Sequence, residues 1–353
     1  MFTQTLTRRI LRSPLVDLLT GPHGVDTYTE LVNPSWTGRE ARATVVAVRR
    51  QTPRSVTLTL EPNALCAQLF TRFRAGQHVN VTVEIDGRRY TRCYSPANAE
   101  GAPLIELTVS RRDGGRMSGH LCATARPGLV VGLRDLGGEF TLDRAARRIL
   151  FVSGGSGITP VMSMLRTLRS QAFDGEIAFV HYARTPDEAC YAGELAGMPN
   201  VRVLHGYTRS GAGELIGHLS TAHLDAAMPA PDAVYVCGPP ALADAVKDVY
   251  PSAHTESFAP PVFAAPVAST GGRISFTDSG VEATDDGRPL LVQAEAVGLR
   301  PESGCRMGIC HSCTRRKTRG VVKNLITGAV STTDEEDVQI CVSAPVGDVD
   351  LAL

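Results

Sequence analysis

The sequence carries no net charge: its 36 lysines and arginines are matched by 36 aspartates and glutamates. A balanced chain without basic blocks is not built to bind nucleic acid, and it has no polybasic arm for an anionic membrane surface. It also lacks any run approaching the ~18 apolar residues of a membrane-crossing helix. The stretches around Leu15, Leu18 and Leu19 are too short and broken for a signal peptide. A disulfide framework is missing too. Outside one dense motif the cysteines are Cys66, Cys93, Cys122, Cys190 and Cys237, an odd number at irregular spacing, which argues for a reducing, cytoplasmic setting. What the chain does have is length: 353 residues, 43% of them apolar, are enough for two or three domains with packed cores.

The dense motif is Cys305-Arg306-Met307-Gly308-Ile309-Cys310-His311-Ser312-Cys313, followed by Cys341. Four residues separate the first two cysteines, two separate the next pair, and 27 precede the last. That is the plant-type C-x4-C-x2-C…C spacing of a [2Fe–2S] cluster. Each iron completes a tetrahedron with two bridging sulfides and two thiolates. Three ligands on one tight loop wrap the cluster, and a distant fourth clamps it. Gly308 leaves room for backbone to pass close to the sulfides, whose charge amide N–H groups stabilise. A structural zinc site also takes four cysteines, but it favours two closely spaced pairs, whereas here the fourth cysteine stands alone.

In chain order, residues 1–40 form an extension in which Arg8, Arg9 and Arg12 interleave with Leu6, Ile10 and Leu11. The expectation is a short helix packed on the next domain, with a membrane-touching amphipathic helix as the alternative. Residues 41–145 read as an antiparallel β-barrel. Val79, Val81, Val83 and Ile85 alternate with His78, Asn80, Thr82 and Glu84, one face in and one out, before an Asp86-Gly87 hairpin turn. Further strands are expected at Thr44–Val48, Val56–Leu60, Leu104–Val109 and Leu129–Leu133. Residues 146–258 read as an open α/β parallel sheet, with strands at Ile149–Val152, Ile177–Tyr182, Val201–His205 and Ala233–Val236. Residues 259–272 are a Pro/Ala/Gly linker, and 273–353 form an α+β domain around the cysteine loop.

Three further motifs carry chemistry. In Arg92-Cys93-Tyr94-Ser95 one extended strand offers a cation for a phosphate, a flat ring for a flavin and a small hydroxyl near its N5. Taken alone the tetrapeptide reads rather as an exposed arginine and a half-buried tyrosine, and the next motif shifts the balance. Arg111–Ser118 then opens a helix whose amides, with Ser118, make an anion site suited to a pyrophosphate. Gly154-Gly155-Ser156-Gly157-Ile158-Thr159-Pro160 follows a buried strand and precedes a helix expected from Val161 to Leu168, with Thr159 as cap and Pro160 at its first position. It is similar to a dinucleotide fingerprint, with Pro160 in place of the third glycine. No acid stands at the tip of the next strand, and Thr208-Arg209 follow the one after, so a 2′-phosphate is expected there: NADPH, with NADH the alternative. Cys237-Gly238-Pro239 lies at the carboxyl end of a strand, where α/β ligands bind. Glu256, alone, reads as a solvated loop residue.

Taken together, Arg92–Ser95, Gly115–Ser118, Gly154–Pro160, Cys237–Pro239 and Cys305–Cys341 resemble the ferredoxin–NADP reductase superfamily with a fused plant-type ferredoxin domain, over residues 43–353. The resemblance implies that Arg92, Tyr94 and Ser95 hold FAD, with Ser95 near N5, and that Gly115, Met117 and Ser118 hold its pyrophosphate. It puts Gly155, Gly157, Thr159 and Pro160 at the nicotinamide nucleotide, Cys237 near the nicotinamide ring and Glu256 near the reactive edge of the flavin. It makes the cysteine domain β-grasp-like. The extension, Gly76–Val79 and Met307–Cys313 look most like reductases feeding membrane fatty-acid (acyl-CoA) desaturases, which would bring the chain to the inner face of a membrane through its partner. The alternatives are the reductase of a soluble ring hydroxylase or other oxygenase, and a non-enzymatic redox sensor. A sensor has no need of both a flavin site and a nicotinamide site.

Overall fold

The computed structural model describes residues 24–258 and 271–353. The arginine-and-leucine stretch through Leu19 and most of the linker lie outside them. Helix α1 (Gly24–Val32) precedes the first sheet and leaves Leu31 and Val32 in solvent, tied down by a Glu30–Arg42 pair at 3.3 Å. No helix among the described residues is long and apolar enough to cross a membrane.

Strands β1 (Arg42–Thr52), β2 (Ser55–Pro62), β3 (His78–Ile85), β4 (Arg88–Tyr94), β5 (Ile105–Ser110) and β6 (Val130–Gly137) form an antiparallel sheet in the order β4-β3-β6-β1-β2-β5. Helices α2 (Ala64–Phe70) and α3 (Arg116–Thr124) pack on it. Val45, Leu58, Val79, Val81, Val83, Leu107 and Leu133, from five of the strands, share one core, and Tyr90 and Tyr94 of the sixth pack against it, so the sheet rolls around a single apolar interior. Each such side chain contributes about 1.5–3 kcal/mol on burial. Asp86 and Gly87 have φ of 52° and 71°, the two positive values of a type I′ hairpin turn. One expectation fails here. Asn80, on the outward face of β3, is fully buried because the cysteine loop covers it.

Strands β7 (Arg148–Gly154), β8 (Glu176–Ala183), β9 (Val201–Tyr207), β10 (Ala233–Cys237) and β11 (His254–Glu256) make a parallel sheet ordered β11-β10-β7-β8-β9. Helix α4 (Ile158–Ser170) covers the face carrying Phe151, Phe179 and Tyr235. Helix α5 (Ala192–Ala196) packs Leu195 into the same layer. Helices α6 (Thr221–Ala227) and α7 (Pro240–Val249) cover Leu150, Val152, Val180 and Val236 on the other face. The start of α4 corrects the expected one. A 3₁₀ turn at Gly155–Gly157 runs straight into the helix, so Gly157 is the N-cap and Thr159 lies inside the first turn. Its hydroxyl donates to the Ser156 carbonyl at 3.2 Å instead of capping. Pro160 is tolerated there because first-turn N–H groups have no helical partner.

The third sheet contains β12 (Arg273–Phe276), β13 (Val281–Thr284), β14 (Thr314–Asn324), β15 (Val330–Ser331), β16 (Glu336–Gln339) and β17 (Ser343–Leu351). Its order is β13-β12-β17-β14-β15, with β16 also on β14; β12 and β17 run parallel. Helix α8 (Leu290–Ala296) seals it with Leu290, Leu291 and Ala294, and Cys313 and Cys341 belong to that same core.

Candidate active site

Strand alternation divides β4 between two environments. Arg92 and Tyr94 register with Val81 and Val79, on the side of the barrel core. Tyr94 packs against that core, and burial pushes its phenol up. Ser95, 2% exposed, has an Oγ with no hydrogen-bond partner. An orphaned buried hydroxyl is costly, and a polar ring atom of a bound flavin would satisfy it. The Arg92 guanidinium donates to the carbonyls of Thr91 at 2.7 Å and Ser303 at 3.4 Å, so it also touches the segment before the cysteine loop. Gly115 is the N-cap of α3 and Met117 is buried beneath it. Ser118 Oγ accepts from the Arg112 N–H at 3.1 Å and donates to the Gly115 carbonyl at 3.3 Å, which fixes the turn before the helix. Arg116 lies over the Tyr90 ring at 5.4 Å, bringing this helix start against β4.

The chain after Ser95 docks on α4. Arg166 donates to the Ala97 carbonyl at 2.7 Å and Ser163 to the Asn98 carbonyl at 2.6 Å, so the flavin strand and the glycine turn share one scaffold. A Cβ on Gly157 would stand 2.1 Å from the Cys237 carbonyl oxygen. Only glycine lets the two turns at the carboxyl ends of β7 and β10 meet.

Cys237 is fully buried, its thiol pushed well up by burial, and it pairs in register with Glu256 on β11. Glu256 is therefore not a solvated loop residue. It lies on an edge strand, with its carboxylate 4.0 Å from Cys237 Sγ and 3.8 Å from His78 Nδ1. The second distance is too long for a hydrogen bond, and His78 Nδ1 has no hydrogen-bond partner. Burial raises the Glu256 carboxyl, and His78 opposes it.

At the other end of the sheet, Thr208 and Arg209 follow β9, their N–H groups bonded to the carbonyls of Ala183 and Arg184 at 3.0 and 2.9 Å. Two arginines thus emerge side by side at adjacent strand tips. Arg184 pairs with Glu188 at 3.3 Å, whereas Arg209 is exposed and makes no ion pair among the described residues.

The cysteine loop gathers its thiols in two pairs. The Cys305 N–H points at Cys310 Sγ at 3.1 Å, and a hydrogen bond between the two thiols pushes Cys310 down and Cys305 up. The partner thiol Cys341 pulls Cys313 down to about 7. All four are buried. Arg306, Gly308 and His311 have φ of 58°, 75° and 55°, left-handed turns that aim amides inward, among them the Met307 N–H at 3.3 Å from Cys305 Sγ. Two thiol pairs within a shell of amide donors fit a cluster whose two irons each take two cysteines.

Sequence reasoning passed over three residues that meet these sites: Asn80, Cys93 and His78. The alternation of β3 and β4 was the available signal. It sets Asn80 and Cys93 opposite one another on the face away from the barrel core.

A rolled antiparallel sheet with a phosphate-type helix start, joined to a parallel nucleotide sheet, defines a flavin- and nicotinamide-dependent oxidoreductase. Residues 64–141 match the oxidoreductase FAD-binding domain family and residues 151–248 the oxidoreductase NAD-binding domain family. The chain belongs to the ferredoxin–NADP reductase superfamily, and it is an oxidoreductase of the ferredoxin reductase type. It is 34% identical over 348 residues to an NADPH oxidoreductase of Mycobacterium tuberculosis, covering 94% of this chain and 89% of that protein. It is 31% identical over 318 residues to the glycine betaine monooxygenase reductase subunit of Pseudomonas aeruginosa, covering 78% and 86%. The solved structure of phthalate dioxygenase reductase superposes with a TM-score of 0.61 at 24% identity, over 91% of this chain and 100% of that one, a likeness of fold.

Proposed function

We propose that this chain is the reductase component of an oxygenase system, with NADPH as donor, FAD and a [2Fe–2S] cluster as prosthetic groups and an iron-dependent oxygenase as acceptor. A nicotinamide gives up a hydride, an iron–sulfur cluster takes one electron at a time, and a bound flavin does both. The residues named above would hold and orient these groups. Tyr94 and Ser95 would fix the flavin ring, and α3 its pyrophosphate. The touching turns at Gly157 and Cys237 would seat the nicotinamide in a water-poor pocket, and Arg209 would select its 2′-phosphate. No general acid or base is required for the hydride step itself.

The observation behind this reading is the contact of the paired-cysteine loop with β3, the neighbour of the flavin strand, through Asn80 and Cys310 at 2.9 Å, which supports two redox sites side by side in one chain. The reductase subunits among the relatives favour an oxygenase acceptor over the desaturase expected from sequence. The test is an anaerobic absorbance spectrum of the purified protein before and after stoichiometric NADPH, then NADH. Flavin and iron–sulfur bands that bleach with NADPH support the circuit. A colourless, zinc-loaded protein would end it. Acceptor choice is read by adding an oxygenase component or a desaturase-containing membrane fraction and following NADPH oxidation.

A further inference from the structure

Cys93 lies outside the four-cysteine motif, yet its Sγ and those of Cys305 and Cys310 all lie within 4.8 Å of one another. Its position is held from both sides. The Cys93 S–H donates to Asn80 Oδ1 at 2.9 Å. The Asn80 amide nitrogen donates to the Asp135 carboxylate and to the Cys310 carbonyl, each at 2.9 Å, so its oxygen must face the thiol. Thiolates on one tetrahedral metal with bonds of ~2.3 Å stand about 3.8 Å apart. The three thiols are therefore within about an ångström of the spacing of ligands on a single ion.

We propose that Cys93 is a fifth cysteine of the iron site, contributed by the flavin strand, and that it takes over as ligand when Cys305 or Cys310 is lost. This rests on the iron–sulfur reading given above. With all four motif cysteines present, the Cys93 sulfur packs against the ligand pair Cys305 and Cys310 without binding iron. With one of that pair removed, the Cys93 sulfur forms the missing Fe–S bond, and its proton leaves to solvent, as ligation requires. The iron keeps its charge and oxidation state. Because Cys93 stands between Arg92 and Tyr94, the substituted cluster is bonded to the strand that carries the flavin residues.

The test compares Cys305→Ala with Cys305→Ala/Cys93→Ala in the full chain, by iron and acid-labile sulfide content and by the EPR spectrum after dithionite reduction. Alanine is used because a serine oxygen can itself bind iron. The single variant is expected to keep about two irons and two sulfides per chain with an altered EPR spectrum, and the double variant to lose them. Equal iron in the two variants, with bound FAD reporting a folded barrel, overturns the proposal. Should neither fold, the pair Cys310→Ala and Cys310→Ala/Cys93→Ala decides in the same way: iron and sulfide kept in the single variant and lost in the double are expected, and equal iron in the two overturns the proposal. A wild-type chain without iron and sulfide would instead overturn the iron–sulfur reading on which the proposal stands.

Discussion

The side-chain amide of Asn80 hydrogen-bonds the main-chain carbonyl of Cys310 at 2.9 Å, joining residues 230 apart in sequence. It ties the flavin sheet to the cysteine loop at a fully buried point. Asn80→Leu keeps the volume but strands the Cys310 carbonyl and the Cys93 thiol, while the exposed Asp135 carboxylate, beside Arg134, turns to water. Leaving buried groups unsatisfied costs about 1–3 kcal/mol each, so the melting temperature should fall. The kinetic consequence is more specific. Flavin bleaching by NADPH should keep its rate, while the following reduction of the iron–sulfur bands slows, as stopped-flow absorbance would show. Iron–sulfur reduction at the wild-type rate would mean that this contact does not position the cluster.

Periodicity made most of the fold legible. The alternation of β3, the Asp86-Gly87 turn and the continuous apolar runs of β7 and β10 each report a local rule, and the cysteine spacing reports another. What escaped depends on partners distant in sequence. Asn80 reads as a solvent-facing polar residue because its cover arrives 230 residues later. Glu256 reads as a loop residue because His254–Glu256 is a three-residue edge strand with no apolar run to announce it. The start of α4 was misplaced because a 3₁₀ turn of glycine and serine has no sequence signature distinct from a loop.

Arg209 sets a prediction about cofactor choice. Arg209 is exposed, its main-chain N–H bonded to the Arg184 carbonyl at the tips of β9 and β8, and Arg184 is already paired with Glu188. A charge-assisted bond to a phosphate contributes about 1.5–3 kcal/mol, so Arg209→Ala should raise KM for NADPH roughly ten- to a hundredfold and leave NADH turnover unchanged. Steady-state kinetics with both nucleotides decides it. An equal loss with both would remove Arg209 from the 2′-phosphate site.

Glu256 predicts opposed effects on stability and rate. Burial raises its carboxyl, with His78 partly offsetting, so the ionised form is disfavoured in the folded protein. A raised carboxyl contributes stability below its unfolded value and loses it as pH rises through the folded one. Glu256→Gln removes that penalty at neutral pH. Its melting temperature should exceed wild type at pH 7.5 and converge with it near pH 4. Hydride transfer should slow if the carboxylate helps hold the nicotinamide against Cys237. A variant less stable than wild type at pH 7.5 would show that the His78 contact outweighs desolvation.

His181 gives the acid limit of the nucleotide sheet. It is fully buried on β8, its Nδ1 2.7 Å from Ser153 Oγ and its ring 6.2 Å from that of His205. Burial first, and His205 second, push the imidazole down to about 3. In the unfolded chain a histidine titrates near ~6.5, so between these values the unfolded state binds a proton that the folded state refuses. The stabilisation is complete above about pH 6.5 and falls by about 1.4 kcal/mol for each unit of acidification until the folded value is reached. His181→Gln can keep a hydrogen bond to Ser153 without the titration. Its stability should therefore decline less steeply than wild type between pH 6.5 and pH 4, followed by circular dichroism in urea. The remaining carboxylates and histidines contribute to both profiles, so the difference between the two curves isolates His181. Parallel curves would mean that the imidazole accepts its proton without leaving the sheet.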